Sequence, residues 1–198
     1  MPAALVVIRR EFDVAAPRCK RPPKECLAIC PRRISDKSLV LLDMATEQTA
    51  QRILVIADTH NKLPPVVTEA ARIANEIWHL GDVCSDALLQ ELKLIGPPVT
   101  LVRGNCDTNP DWRLMLELTR NSTRFRLQHI PPSPRQALGA CDMLLHGHTH
   151  VPRDEIINGV RFLNPGCVTR PSRGAPPSFA WLEFQQNRGW TWTLQTLR

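Results

Sequence analysis

The sequence lacks tyrosine altogether, and aromatic residues make up only 5% of its 198 residues. It also lacks any apolar run approaching the ~20 residues that a membrane-spanning helix needs. The apolar stretch at residues 3–8 is short, and the basic residues Arg9 and Arg10 follow it, whereas a secretory signal places them before. These absences lead us to expect a soluble, cytoplasmic protein with no membrane partner.

Acidic residues are the scarcer charge: 19 Asp and Glu stand against 25 Lys and Arg, a net charge of +6. Such a balance allows an anionic partner without requiring one. A nucleic-acid-binding module built on residues 9–37 is one hypothesis, and deleting residues 1–43 would test it. However, Phe12 is the only aromatic residue among these charges, and base stacking needs interleaved aromatics. We therefore do not favour nucleic-acid binding.

The seven cysteines are odd in number and show no regular spacing. Cys19, Cys26 and Cys30 form the only cluster, and no fourth zinc ligand lies near them at a paired spacing. We interpret the cysteines as reduced thiols, as in most cytosolic proteins, rather than as a disulfide framework.

Residues 1–43 differ in composition from the remainder of the chain. They contain nine Lys or Arg, five Asp or Glu and five prolines, without helical or strand periodicity. We predict a basic, loop-like or disordered leader, or an over-extension from an upstream start codon, since Met44 directly precedes the first clear strand pattern. The predicted domain covers residues 44–198.

From residue 52 the pattern alternates between strands and helices. Strands are predicted at 52–57, 77–80 and 99–103, and helices at 66–75 and from a Ser85 cap to about residue 94. This order indicates parallel crossovers of an α/β fold. The second half is predicted to be β-rich, with strands at 124–129, 142–145, 179–184 and 190–194 and an Asn158-Gly159 hairpin turn.

Polar motifs follow these strands, at the edge where open α/β sheets place their ligands. They are Asp58-Thr59-His60, Gly81-Asp82, Gly104-Asn105-Cys106-Asp107 and Gly147-His148-Thr149-His150. Each motif alone is a weak signal, since such residues also occur in turns and on surfaces. Together they supply carboxylate, amide and imidazole donors, a set suited to two first-row divalent ions.

The ordered motifs D-x-H, GD, GN and GHTH resemble the calcineurin-like metallophosphoesterases. GNCD and the later Asn164-Pro165-Gly166 are similar to the YfcE-type phosphodiesterase branch, and the resemblance covers roughly residues 52–184. It implies a four-layer α/β/β/α sandwich and a hydrolase with two divalent ions. Mn²⁺ is the preferred ion, with Zn²⁺, Ni²⁺ or Fe²⁺ as alternatives. The substrate would be a small phosphodiester or phosphomonoester.

The resemblance also assigns the metal ligands. Asp58, His60 and His150 would hold one ion, Asn105 and His148 the other, and Asp82 would bridge both, with Asp82 and Asn105 closest to the chemistry. A carboxylate is able to bridge two cations, and two ions ~3.5–4 Å apart clamp the attacking and leaving oxygens of an in-line displacement. A metal-bound water, acidified to hydroxide, would attack phosphorus.

One further imidazole is expected for the second ion. His129, at the end of a predicted strand, is either that ligand or a strand-end residue facing solvent, because Ile130-Pro131-Pro132 replaces the usual Gly-His. His146 either joins the site or packs in the core, which we favour, and His79 is expected to be structural. Asp107 is a candidate for a supporting hydrogen bond to a ligand, and Asn61 and Asn164 are candidates for lining the site.

Two departures from the pattern bear on function. Cys106 occupies the position of a catalytic histidine in GNHE members, and a thiol is a poor substitute for an imidazolium. This favours phosphodiesters over phosphoproteins as substrates. The short stretch between Asp107 and Asp142 favours an alternative, a catalytically weak scaffold for protein binding like the retromer subunit of the same fold. The oligomeric state is left open.

Overall fold

The computed structural model describes residues 9–10, 51–133, 136 and 138–197. Within these residues the chain forms two sheets and two helices. In chain order the elements are β1 (Arg9–Arg10), β2 (Gln51–Ile56), α1 (Pro65–Arg72), β3 (Glu76–His79), α2 (Asp86–Leu94), β4 (Val99–Leu101), β5 (Met115–Arg120), β6 (Thr123–Gln128), β7 (Met143–Leu145), β8 (Arg153–Ile157), β9 (Val160–Asn164), β10 (Ser178–Gln185) and β11 (Gly189–Thr196). The sheet orders are β1-β11-β10-β2-β3-β4 and β5-β6-β7-β9-β8.

The first half forms the predicted parallel unit. β3 pairs in parallel with β2 on one side and with β4 on the other. α1 begins with Pro65, and the Ser85 side chain caps α2 by accepting a backbone hydrogen bond from its first turn (3.3 Å). α1 ends at Arg72 rather than at residue 75, because the Asn75 N–H already donates to a carbonyl of β2.

The facing sides of the two sheets enclose one apolar core. Its aromatic centre is a chain of edge-to-face contacts in which Phe125 lies 5.2 Å from Trp78 and 5.1 Å from Trp190, measured between ring centroids. Such ring pairs contribute about 0.5–1.5 kcal/mol each beyond the area they bury. Because β2, β3, β6 and β7 all contribute to this core, their ends are held in fixed positions relative to one another.

The predicted α/β fold with two facing sheets is confirmed. In the described residues, helical residues such as Val67 and Leu92 pack on the first sheet alone, against Leu54 and Ile77. No helix of the described part covers the outer face of the second sheet.

Two hairpins with left-handed turn residues build the second sheet. The predicted Asn158-Gly159 turn joins β8 to β9, with φ angles of 51° and 82°. The turn between β5 and β6 uses Asn121 and Ser122, with φ angles of 47° and 61°. Positive φ at both central residues is the geometry of a tight two-residue hairpin. β5 was not among the predicted strands.

The predicted leader is described at two residues only. Arg9 and Arg10 form β1, which pairs antiparallel with β11. The other residues of 1–43, including Cys19, Cys26 and Cys30, lie outside the described residues, so the leader and domain boundary stay predictions. Across the described ranges, no helix has the length and apolarity needed to span a membrane.

Candidate metal centre

All seven predicted donor residues come together at the carboxyl ends of the strands. Five of these residues also have positive φ angles: Asp58 (56°), His60 (44°), Asp82 (58°), His148 (67°) and His150 (57°). Non-glycine residues rarely adopt this conformation, and strained positions cluster at functional sites. The backbone therefore turns sharply after each strand and directs these side chains into one space.

The first group of donors surrounds the carboxylate of Asp58. One donor atom each from Asp58, His60, Asp82 and His150 lies within 4.8 Å of all the others. His150 Nε2 lies 3.2 Å from Asp58 Oδ1 and 3.4 Å from His60 Nε2. Two carboxylates and two imidazoles at this spacing could share a single ion.

The second group lies around the side-chain oxygen of Asn105. Asn105 Oδ1 is 2.9 Å from His129 Nε2 and 2.8 Å from His148 Nδ1. Asp82 connects the two groups: its Oδ1 lies 3.4 Å from His129 Nε2, and its Oδ2 lies 3.9 Å from His60 Nε2. Asp82 thus has the position that a bridging carboxylate would need.

His129 lies inside this cluster and does not face solvent. Its side chain is 2% exposed, and its Nδ1 lies 2.8 Å from the Leu80 carbonyl. A carbonyl only accepts, so Nδ1 carries the proton and donates, which leaves the lone pair of Nε2 directed at Asn105 and Asp82 in the neutral ring. The sequence alternative of a solvent-exposed His129 is therefore excluded by the structure.

His150 is oriented in the same way. Its Nδ1 lies 2.5 Å from the Arg170 carbonyl, so the Nε2 lone pair of the neutral ring is directed at Asp58 Oδ1. That carboxylate oxygen is buried and accepts no hydrogen bond within the described structure. Two lone pairs 3.2 Å apart repel unless a cation or proton lies between them. The donor set therefore fits a metal ion, with backbone carbonyls fixing the imidazole tautomers.

The electrostatics of the site agree with cation binding. Burial raises the pKa of the Asp58 carboxyl to about 6. Burial also opposes ionisation of Asp82, but in the metal-free site a hydrogen bond from the protonated His129 ring, which then carries a proton on both nitrogens, and one from the Cys106 N–H outweigh burial and hold the Asp82 pKa below its usual range. Burial lowers the pKa of both His60 and His148, which favours the neutral imidazoles that bind metals.

The same two carboxylates also act on His129. Burial alone would lower the pKa of this imidazole, but the neighbouring Asp82 and Asp58 carboxylates outweigh burial and raise it. The raised pKa of His129 shows that the Asp58 and Asp82 carboxylates produce a negative electrostatic potential at its ring. Positive charge is therefore favoured where the two donor groups meet.

Asp107 connects the two loops that carry Asp82 and Asn105. Its carboxylate accepts three backbone hydrogen bonds: 2.9 Å from Asp82 N, 2.7 Å from Cys84 N and 2.7 Å from Gly104 N. Gly104 is needed at this crossing, because a Cβ there would overlap the backbone and carboxylate of Asp82. The supporting role expected of Asp107 is thus visible as loop bracing.

The two remaining described histidines lie outside the donor cluster. His79 is fully buried, hydrogen-bonded to Thr59 Oγ1 at 3.0 Å, and burial lowers its pKa to about 3. His146 is also buried, and its Nδ1 lies 3.2 Å from Asn164 Nδ2. Asn164 donates to Gly147 O (3.0 Å) and so braces the GHTH loop. Both histidines are structural here, as favoured from the sequence.

Two cysteines that lie beside the centre, Cys84 and Cys167, were not predicted from the sequence to lie there. Cys84 Sγ lies 3.5 Å from His60 Nδ1, on the side of the ring opposite to the carboxylates. The four cysteines in the described part of the chain, Cys84, Cys106, Cys141 and Cys167, are free thiols. Nothing in the spacing of Cys84 and Cys106 along the sequence indicates that both lie near His60.

Comparison with known proteins gives concordant matches. The calcineurin-like phosphoesterase superfamily domain matches residues 52–187. Phosphodiesterase YfcE of Escherichia coli (strain K12) is 28% identical over 160 residues, covering 67% of this chain and 87% of that protein. A probable metallophosphoesterase of Methanothermobacter thermautotrophicus is 36% identical over 137 residues, covering 59% and 77%. A solved structure of vacuolar protein sorting 29 from Cryptosporidium parvum has a TM-score of 0.61 and 27% identity, covering 75% of this chain and 92% of that one. This chain belongs to the calcineurin-like phosphoesterase superfamily.

Proposed function

We propose that the protein is a metal-dependent phosphodiesterase with two divalent ions, Mn²⁺ being preferred over Zn²⁺, Ni²⁺ or Fe²⁺. The observation that carries the proposal is the convergence of imidazole nitrogens on carboxylate and amide oxygens, above all His150 Nε2 on Asp58 Oδ1, which accepts no hydrogen bond in the described structure. Asp58, His60 and His150 would hold one ion and Asn105, His129 and His148 the other, with Asp82 shared. A cytoplasmic location belongs to the same proposal.

The chain's own residues position the reaction. When bound, the two ions would supply Lewis acidity, which acidifies a water molecule and offsets negative charge on the phosphoryl oxygens. Asp82 lies between the two donor groups, where the Cys106 N–H donates to its Oδ1 at 2.8 Å and stabilises its negative charge. The Asn105 amide oxygen lies between His129 Nε2 and His148 Nδ1, where the second ion would meet it.

A phosphodiester is the substrate class with most support. The positive charge of exposed Arg170 reaches the site, since it is among the groups that lower the His60 pKa, and it would attract an anionic ester. Cys106 is exposed at the edge of the cluster, and its thiol is a poorer proton donor to a leaving group than the imidazolium of a histidine. The similarity to a phosphodiesterase points the same way.

Hydrolysis by metal-stripped protein tests the proposal. The protein would be resupplied with Mn²⁺, Ni²⁺, Zn²⁺ or Mg²⁺ and assayed on bis(p-nitrophenyl) phosphate and, for comparison, on p-nitrophenyl phosphate. We expect metal-dependent turnover that favours the diester and is lost in Asp82→Asn. Asp111→Asn is the matched control, since Asp111 is exposed and away from the donor groups. Turnover by Asp82→Asn equal to that of Asp111→Asn would refute the proposal.

The alternative is a scaffold that binds another protein. It is favoured by the similarity to vacuolar protein sorting 29 and by the exposed apolar residues Ile130, Ile156 and Ile157, which are 53%, 59% and 38% exposed. Absence of turnover with every metal, in protein that remains folded and binds two ions, would favour this alternative over the enzyme.

A further inference from the structure

A second cluster of metal-binding atoms lies beside the candidate centre. One donor atom each from His60, Cys84 and Cys106 lies within 4.8 Å of the other two. This cluster uses the opposite edge of the His60 ring: Nδ1 faces the Cys84 sulfur, whereas Nε2 faces His150 and Asp82. We propose that His60, Cys84 and Cys106 form a second site, sharing His60 with the candidate centre, for one thiophilic divalent cation, such as Zn²⁺ or Cd²⁺.

The composition of this cluster sets its selectivity. The candidate centre is built from carboxylate, amide and imidazole donors, which suit Mn²⁺, whereas two thiolates favour soft ions. Two cysteines and one histidine leave the fourth position of a tetrahedral zinc site open to water or another small ligand. On binding, both thiols would release their protons to solvent, and the two thiolates would balance the charge of the ion.

The backbone holds both thiols in place before any ion binds. Asp107 accepts hydrogen bonds from Cys84 N and Gly104 N, both at 2.7 Å, and so ties together the loops that carry the two cysteines. The Cys106 N–H donates to Asp82 Oδ1 at 2.8 Å. Cys84 has a φ of 70°, an uncommon conformation for a residue with a side chain. The backbone of both cysteines is therefore held by the same contacts that hold the carboxylates.

The spacing suits a tetrahedral ion. Zinc–sulfur bonds of ~2.3 Å place two thiolates roughly 3.8 Å apart, so donors within 4.8 Å of one another need to move by about 1 Å. Cys106 is exposed and Cys84 is partly so, which gives the ion a path of entry. Cys167, also near His60 and His150, is a poorer ligand because it is buried and its thiol already donates to Asp58 O at 3.2 Å.

Occupation of this site has a consequence for His60. An imidazole that retains its one proton offers a lone pair on one nitrogen at a time. An ion held through Nδ1 therefore removes His60 Nε2 from the candidate centre. We expect thiophilic ions to compete with Mn²⁺ for His60, independently of whether the centre hydrolyses phosphodiesters.

Cadmium titration of metal-stripped, reduced protein tests the site directly. The full chain would carry Ser at Cys19, Cys26 and Cys30, so that only Cys84, Cys106, Cys141 and Cys167 contribute. We expect a thiolate-to-cadmium ultraviolet band that saturates at one ion per chain. The double variant Cys84→Ser/Cys106→Ser should lose this band, and Cys167→Ser should retain it. An unchanged band in the double variant would overturn the proposal, as would its loss in Cys167→Ser alone.

A second measurement on the unsubstituted protein guards against misfolding of the variants. Cys84 and Cys106 would be alkylated with N-ethylmaleimide with and without Cd²⁺, and the modified peptides followed by mass spectrometry. We expect Cd²⁺ to slow alkylation of both residues together, whereas Mn²⁺ at the same concentration leaves them reactive. Equal alkylation with and without Cd²⁺ would contradict the site. Neither readout depends on hydrolysis, so failure of the proposed enzymatic activity would leave both outcomes interpretable.

Discussion

Replacing His129 by alanine separates a ligand role from a structural one. The ring is 2% exposed, donates from Nδ1 to the Leu80 carbonyl and directs Nε2 at Asn105 Oδ1. Its removal leaves that buried carbonyl without its donor, a cost of about 1–3 kcal/mol. The vacated ring volume adds a cavity, so a total loss of roughly 3–5 kcal/mol in unfolding free energy is expected.

The effect on metal binding should be confined to one ion. Losing an outer hydrogen-bond partner typically costs about 10–100-fold in metal affinity, and losing a direct ligand should cost at least 100-fold. Calorimetric titration of metal-stripped protein with Mn²⁺ is expected to show two ions in the unsubstituted chain. In His129→Ala the step assigned to Asn105, His129 and His148 should disappear, while the ion at Asp58, His60 and His150 remains.

His146→Ala supplies the matched control. His146 is as buried as His129, at 1% exposed, but belongs to neither donor group. It should lose comparable stability and keep both metal-binding steps. If His129→Ala and His146→Ala bind Mn²⁺ alike, His129 is a structural residue and the assignment of the second ion is wrong.

Three further predictions concern Gly104, Asp107 and the buried His79. Gly104→Ala should abolish Mn²⁺ binding, because the added Cβ would overlap Asp82. The control Gly139→Ala has open space around its Cβ, so it should bind Mn²⁺ normally and lower the unfolding free energy, followed by thermal unfolding, by only about 1–2 kcal/mol. Asp107→Ala removes three charge-assisted hydrogen bonds. It should lower the unfolding free energy by roughly 3 kcal/mol and the Mn²⁺ affinity about 10–100-fold. Unchanged Mn²⁺ affinity would show that the two loops keep their positions without Asp107. Burial lowers the pKa of His79 to about 3 in the folded protein, so between about pH 6.5 and pH 3 the unfolded chain binds a proton at this residue and the folded chain does not. The unfolding free energy should therefore fall as the pH drops from about 6.5 towards 3. In EDTA, the stability lost between pH 7 and pH 5 should be roughly 2 kcal/mol smaller in His79→Gln, and an equal loss in both proteins would contradict this cause.

The sequence was sufficient to predict which strand ends bring the candidate donor residues together. Continuous apolar runs marked β2 and β3, and a polar motif followed each one, so the meeting of Asp58 and Asp82 followed from parallel pairing. The Ser85 cap and the Asn158-Gly159 turn were also predicted correctly, because each is a local signal with a local mechanism.

Other features depend on contacts that a linear pattern does not contain. β5 was missed because its residues alternate only between exposed and half-buried, which gives a weak strand signal. His129 was left between two readings, since its burial depends on Leu80 and Asn105 from other elements. Cys84 was missed because the contacts of Asp107, and not sequence spacing, bring its loop beside Cys106.

Two ions that share Asp82 are proposed to act together on a phosphodiester. Stepwise addition of Mn²⁺ to metal-stripped protein, with hydrolysis of bis(p-nitrophenyl) phosphate followed at each step, tests this proposal. We expect the rate to rise to its maximum at two equivalents per chain and Asp82→Asn to stay inactive throughout. A rate that reaches its maximum at one equivalent, or no hydrolysis by protein that holds two ions, would contradict it.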